Sequence, residues 1–458
     1  MASANARTID MTRGDPLKLI LRFAVPLLLG NLFQQLYNMA DGIIVGQFIG
    51  TDAFAAVGAT GSISFLIIGF ILGCSSGFCI PVSQYFGAKD DEGMRRCVAN
   101  IVWVGIAIAA VVTTLMMFTT RGLLTLMDTP ENIFDDSFLY IYIIFAGIPA
   151  CMFYNVQAGL MRAVGDSRSP LYFLMISCCI NVVLDLLFIP GFGLGVEGAA
   201  LATIISQAIS GVLCFIWIAK KFPILHPHGK EWKPEMHIIA RLLKISLPMG
   251  FQFSITAIGA VILQSAVNTL GSDIIASISA SSKIQNIVFA PMETLGLTMA
   301  TYCGQNLGAG RIDRIRLGMR RCIIVSLLLS LLCCLMVTFG GRYIALLYIK
   351  AEEVAILDNI TYYLRICGIF YAPLSLIFVF RNAIQGMGYS VPAMAAGLFE
   401  LAARAIVALG FVRSVGFTAA ALANPMAWIA ADIFLIPMYL WVIRKFTKNP
   451  PPTRQTES

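Results

Sequence analysis

Five acidic residues, Asp41, Asp185, Glu293, Glu400 and Asp432, lie inside long apolar stretches of a 458-residue chain. A carboxylate in the hydrocarbon region of a bilayer is costly, and its presence points first to function. Tyr37 lies one helical turn before Asp41, and Asn181 one turn before Asp185, so each acid carries a polar neighbour on its own helix face. Counted at ~1.5 Å per residue, Asp185 sits roughly 8 Å and Asp41 roughly 8–13 Å below the outer ends of their stretches. Thr203 falls at a similar depth in the next stretch, and Tyr140 lies near the outer start of another. Asp41, Asn181, Asp185 and Thr203 can therefore gather at one level. Oxygen ligands in a partly dry site suit Na⁺. Two neighbouring carboxylates equally suit a proton, because as anions they repel. The structural alternative is an interfacial Asp41 and an Asp185 capped by Asn181.

Further candidates lie in the second half. Glu400 and Arg404 are four apart and are expected to pair with each other on one helix, with cavity lining as the alternative. Lys283 and Glu293 are ten apart, about 15 Å of helical rise, too far for direct contact, and the role of Glu293 stays open. Asp432 is a cap or a partner within the last apolar stretch. Only three histidines occur, in or beside one polar segment, so neither a nucleophile–base set nor a clustered metal site is expected, and no organic cofactor. The 12 cysteines sit mostly in apolar runs without a CxxC, as helix-packing residues. The 20 methionines and 30 phenylalanines would suit a soft ligand cavity, though helix packing is the commoner use.

The elements that must position these groups are transmembrane helices. The chain is 58% hydrophobic and 12% charged. Soluble proteins carry about 25% charged residues, so a water-facing surface and a disordered chain are both excluded. A run of about 20 apolar residues spans the bilayer core. Twelve spans are predicted, at 17–45, 53–84, 98–119, 137–160, 170–189, 196–219, 241–269, 274–303, 321–340, 355–380, 391–411 and 417–443. Pro26, Pro81, Pro291 and Pro373 mark places where they bend or end. With the N-terminus inside, 25 of the 32 basic residues, Arg381 among them, face the cytoplasm, four face outside and three lie within spans. That asymmetry orients the chain in a cell membrane with both termini cytoplasmic. It also accounts for the net charge of +7 without a nucleic-acid partner. No cleavable signal precedes the first span.

The chain repeats itself. Leu21–Pro26 matches Leu243–Pro248, Gln84–Ala88 matches Gln305–Ala309, and Ala200–Ala202 matches Ala421–Ala423. Gly93-Met-Arg-Arg-Cys97 recurs letter for letter as Gly318-Met-Arg-Arg-Cys322, at a spacing close to 222 like the others. The expected fold is an all-α polytopic membrane protein of twelve transmembrane helices in two pseudo-symmetric six-helix bundles enclosing a central cavity. Residues 1–16 form a tail, 17–219 the N-terminal lobe, 220–240 a linker, 241–446 the C-terminal lobe and 447–458 a second tail. Glycines every four residues, at Gly42, Gly46 and Gly50 and at Gly69, Gly73 and Gly77, indicate close helix packing.

Several strings together resemble the multidrug and toxic compound extrusion (MATE) family, closest to its DinF-like branch. They are Gln34-Gln-Leu-Tyr-Asn-Met-Ala-Asp41-Gly, Asn181-Val-Val-Leu-Asp185, Gly195-Val-Glu-Gly-Ala-Ala-Leu-Ala-Thr203, Ala383-Ile-Gln-Gly-Met-Gly388 and Glu400-xxx-Arg404. The resemblance covers about Asp15 to Phe446. It implies two bundles in a V, alternating access, and H⁺- or Na⁺-driven antiport of cationic or amphipathic small molecules by a monomer in the lipid bilayer. It also implies that Asp41, Asn181, Asp185 and Thr203 form the cation or proton site, with Gln34, Tyr37 and Tyr140 beside it, and that Pro26 bends the first helix. Glu293, Glu400 and Arg404 remain polar candidates of the C-terminal lobe. The NorM-like branch keeps acidic ligands where this chain has Gln252-Phe-Ser254 and Phe380-Arg-Asn382, which argues against a site of that type. The alternative is a lipid-linked saccharide flippase of the wider superfamily, whose members are longer and more basic in the cavity.

Overall fold

The computed structural model describes residues 8–449; most of the two expected tails, with Arg7 and Arg454, lies outside the described residues. Fifteen α-helices follow one another. They are α1 (Pro16–Phe48), α2 (Thr51–Ala59), α3 (Gly61–Gly87), α4 (Asp91–Leu126), α5 (Glu131–Ala146), α6 (Ile148–Ala163), α7 (Arg168–Leu186), α8 (Val196–Lys221), α9 (Met236–Val267), α10 (Ser272–Gly308), α11 (Ile312–Ala345), α12 (Val354–Ile369), α13 (Tyr371–Gly386), α14 (Ser390–Val415) and α15 (Phe417–Lys448).

Among the described residues, nine helices are long and apolar enough to cross a membrane alone, and the bent pairs α5–α6 and α12–α13 bring the number to eleven. The twelfth predicted span is α10. At 37 residues it is long enough, but serines, threonines, Gln285, Asn286, Lys283 and Glu293 interrupt its apolar sequence. Many of these hydroxyls are satisfied within the helix: Ser277, Ser281, Thr294 and Thr298 each donate to the carbonyl one turn back. The protein is thus an all-α polytopic membrane protein with twelve spans.

Local breaks refine the twelve. The predicted span 53–84 is two helices, parted at Thr60, whose hydroxyl donates to the Val57 carbonyl at 2.7 Å. Pro26, Pro81 and Pro291 lie inside continuous helices. Pro149 and Pro373 instead stand in the first turns of α6 and α13, where a missing N–H costs nothing. The chain bends there by 46° and 53°. The two prolines are 224 residues apart, so both halves break at the same point of the repeat.

Among the described residues the contacts form two compact units, residues 8–10 with 25–253 and residues 11–24 with 254–449. One boundary precedes α1, and the other two lie inside α1 and α9. The reason is local bonding. Within the second unit, Arg314 donates to the carbonyls of Met11 and Gly14 and to Asn306 Oδ1, while Gln305 Oε1 accepts from the Met11 N–H. Asp15 pairs with Arg321. Within the first unit, Arg241 of α9 donates to Tyr85 and Gln84.

Glycine spacing has two different outcomes. A Cβ on Gly73 would lie 2.8 Å from Gly250 Cα, and one on Gly77 2.5 Å from Ser246 Cα, so α3 and α9 touch backbone to backbone. Gly50 is not a packing residue: at φ 129° it makes the turn between α1 and α2, with nothing within 4 Å of its Cβ position. Gly77→Val is therefore expected to cost about 1–3 kcal/mol through overpacking, seen as a lower melting temperature of the purified protein. Gly122→Ala, with open space around it, is expected to be neutral or slightly stabilising.

The linker is held down as part of the first unit. Glu231 pairs with Arg95 at 2.9 Å, the Glu235 N–H donates to Asn100, and Trp103 Nε1 donates to the Trp232 carbonyl. His226 Nε2 lies 3.2 Å from the Ile218 carbonyl, and the backbone N–H of His228 donates to Glu231. The Arg95 hydrogen bond holds Glu231 below its ordinary value of 4.5. The clasp is thus complete above that pH and is lost as pH falls through the lower folded value. At pH 7, Glu231→Gln should let trypsin cut at Lys230 several-fold faster than in the wild type. Equal rates would remove the clasp.

Candidate functional site

Within the first unit, α1, α7 and α8 bring the four predicted residues together. Asn181 and Asp185 share one face of α7 and are fully buried. The carboxyl groups of Asp41 and Asp185 stand within hydrogen-bonding range of each other. Thr203 Oγ1 lies 3.3 Å from the Tyr37 hydroxyl and accepts a long bond, 3.5 Å, from Asn181 Nδ2. Asp41 Oδ1, both oxygens of Asp185 and Asn181 Oδ1 are buried with no donor among the described residues. Two carboxylates in contact attract only when one of them is protonated or a cation stands between them. The cluster is four acceptors short of donors, and a deficit of that kind is what a proton or a cation fills.

One side of the cluster is closed. Ile44 and Val45 follow Asp41 by about a turn, Ile189 follows Asp185 by one turn, and Ala199 precedes Thr203 by one turn on the antiparallel α8. These residues pack with Ala53 and Val196 into a small apolar cluster that also carries Tyr140. The other side is open. A cavity of about 390 Å³ is lined by Gln34, Tyr37, Asp41, Tyr140 and Thr203, with Asn38 and Gln207 and an apolar wall that includes Phe65, Ile68, Leu72, Ile204 and Phe253. Of the four, Asp41 and Thr203 line the cavity, and Asn181 and Asp185 do not. Gln34 donates to Asn38 Oδ1 at 3.3 Å rather than to Asp41.

Asn38 and Gln207 were readable in principle, one turn from Asp41 and from Thr203. Phe253 comes from α9, and no local spacing announces it. None of the 20 methionines lines this cavity. Ten of them are core residues, from Met11 and Met94 to Met319 and Met387, which is the packing use.

The C-terminal candidates separate. Glu400 does not pair with Arg404. Its partner is Arg381 of α13, a residue assigned from sequence to a cytoplasmic loop but buried inside that helix. A buried guanidinium takes the nearest carboxylate, and Arg404 turns instead to Asn424 Oδ1 at 3.0 Å. Asn424 Nδ2 reaches the Tyr363 hydroxyl at 3.4 Å. Asp432 is buried, acts electrostatically on Arg381, and its Oδ1 has no hydrogen-bond donor among the described residues. Glu293 lies away from this group, exposed on α10 and without a partner among the described residues.

A twelve-span membrane protein built twice from one unit, with an unpaired acid pair beside a cavity, has the construction of a membrane transporter. The MatE family model matches residues 26–187 and again 248–409, with the two matches 222 residues apart like the internal repeat. The chain belongs to the MatE family, the MATE transporters. It is 27% identical to the "Probable multidrug resistance protein YpnP" of Bacillus subtilis, over 83% of this chain and 85% of that one. It is 21% identical to the "FAD transporter" of Shewanella oneidensis, over 80% and 82%. Its fold matches the outward-facing conformation of a multidrug resistance MATE family transporter of the MOP superfamily with TM-score 0.89 at 21% identity, over 98% of this chain and all of that one. A MOP superfamily transporter from Pyrococcus furiosus, described by a reverse polarity of its binding pocket, matches with TM-score 0.88 at 22% identity, over 97% and 99%.

The Arg381–Glu400 pair yields a stability prediction independent of transport. Arg381→Met alone leaves a buried carboxylate unpaired and should cost about 3–5 kcal/mol, while adding Glu400→Gln should recover most of the loss. Melting temperatures of the two single variants and the double variant measure this coupling.

Proposed function

We propose that this protein is a cation-coupled antiporter, driven by H⁺ or Na⁺, that exports cationic or amphipathic small molecules by alternating access across the cell membrane, with both termini cytoplasmic. The observation that carries the reading is the donor deficit around Asp41, Asp185 and Asn181 beside a cavity that only Asp41 borders. With Thr203 these side chains offer hard oxygens of the kind Na⁺ takes, and the two carboxyls alone suffice for a proton. Either ion removes the repulsion between the carboxyls and lowers the negative field of the cavity. A cationic substrate competes for that same field. Loading the ion therefore weakens substrate binding, and the substrate weakens the ion's by the same factor. Tyr37 and Thr203 hold the geometry from the cavity side. Asn181 orients the floor, and the apolar cluster of Ile44, Val45 and Ile189 keeps water from reaching the acids by the other route.

The flippase alternative gains no support from the matched family or from the relatives named above. It would call for helices beyond twelve and a basic cavity, whereas the cavity here holds an acid and no base.

Reconstituted in liposomes, the wild type should expel a cationic dye when a proton or a Na⁺ gradient is imposed separately, and one of the two gradients should dominate. Asp41→Asn and Asp185→Asn, expressed at normal level, should each lose at least nine-tenths of gradient-driven efflux. Unchanged efflux in both would overturn the mechanism.

A further inference from the structure

α10 carries polar groups that the proposed coupling site does not use. On α10, Ser279, Ser282, Lys283, Asn286 and Glu293 are all exposed. At 100° per residue they fall within an arc of about 100° on one face. The opposite face, through Ser277, Ser281, Gln285, Val288, Met292, Leu295, Met299 and Tyr302, is buried. Neither Lys283 nor Glu293 has an ion pair or hydrogen bond among the described residues. Lys283 stands eleven residues, roughly 16 Å, from the first residue of α10, and Glu293 fifteen residues, roughly 22 Å, from its last, so both lie deep in the span. A lipid-facing stripe does not carry an unpaired ammonium and an unpaired carboxylate at that depth, so this face borders water inside the membrane. Pro291, lying between the two charges, has no N–H to give the Ile287 carbonyl, which loses its usual donor four residues on.

We infer that this stripe is a binding site for amphipathic zwitterions, with Lys283 taking the anionic end, Glu293 the cationic end, and Ser279, Ser282 and Asn286 the polar groups near the anion. The assignment rests on the proposed export function and names one substrate class for it. The roughly 15 Å of rise between the two charged residues sets the ligand's length. A molecule with only one of the two charges leaves the other side chain unanswered. A zwitterion of the right length answers both, and its two charges cancel the local field.

The test uses ω-aminododecanoate, its methyl ester and its N-acetyl derivative, titrated calorimetrically into the full chain in lipid nanodiscs, with empty nanodiscs subtracted. The wild type should bind the zwitterion at least ten-fold more tightly than either singly charged analogue. Lys283→Met should abolish the advantage over the methyl ester, Glu293→Gln the advantage over the N-acetyl compound, and Lys283→Arg should keep both. Equal affinities in the wild type, or a preference that survives both Lys283→Met and Glu293→Gln, would overturn the site. The assay involves no gradient. Its failure with ion-driven efflux intact removes this assignment alone, and loss of ion-driven efflux with the preference intact removes the coupling reading alone.

Discussion

A polar group buried in hydrocarbon has no water to fall back on, so each must find its partner inside the protein. Most of this structure obeys that constraint cheaply. Hydroxyls on α3, α4, α10, α11 and α12 donate to carbonyls one turn back, as Ser75 does to Ile71 and Thr361 to Leu357. The guanidinium of Arg314 spends its donors on three acceptors. Against that background the unanswered oxygens of Asp41, Asn181 and Asp185 stand out. They are grouped, and none of them accepts a hydrogen bond from a donor among the described residues. Acceptors gathered in one place with no donor leave room for something that arrives from outside.

Duplication explains the scaffold but not the chemistry. Pro26 and Pro248, the bends at Pro149 and Pro373, and the glutamines Gln84 and Gln305 are placed alike in the two halves. Arg96 and Arg321 occupy the same repeat position, and each meets an acid of its own unit, Glu235 at 3.8 Å and Asp15. The charged groups inside the bundles do not follow the repeat. Stepping 222 residues from Asp41 and Asp185 leads to Leu263 and Val407, and stepping back from Glu400 and Arg404 leads to Cys178 and Val182. Backbone breaks and basic ends were inherited twice, whereas buried charge was placed once in each half and at different positions.

The membrane class, the twelve spans and the acid cluster were legible because each leaves a one-dimensional signal: apolar run length, a repeat spacing, or a polar residue one turn from another. The failures share a cause. A charge directly after an apolar run reads as the end of a span, yet for Arg381 a carboxylate from another helix keeps it inside. Glu400 and Arg404 satisfy the i,i+4 rule and still do not pair, since Arg381 and Asn424 compete for them and sequence spacing is blind to both. Gly50 fitted a packing stripe, and only its positive φ reveals a turn. The depth argument placed Asp41 and Asp185 level but could not say which of them touches the cavity, because that depends on which way α1 and α7 are rotated.

The two buried charge clusters differ in what an added cation would do. In the C-terminal unit Arg381 answers Glu400 and stands opposite Asp432, and Arg404 is held by Asn424, so two positive and two negative groups balance. Another cation would disturb that balance. In the N-terminal unit two acids meet with no base beside them, so a cation relieves repulsion and supplies the missing donor or ligand at once. The proposed coupling therefore places the ion at this pair. The route is also set by the packing. An ion arriving through the cavity meets Asp41 first, and Asp185 lies one layer further in, against the seal formed by Ile44, Val45 and Ile189. Passage to the other side of the membrane then demands that this apolar seal part while the cavity side closes. The acid pair and the apolar cluster one turn beyond it lie together in the first unit, the arrangement that the proposed coupling calls for.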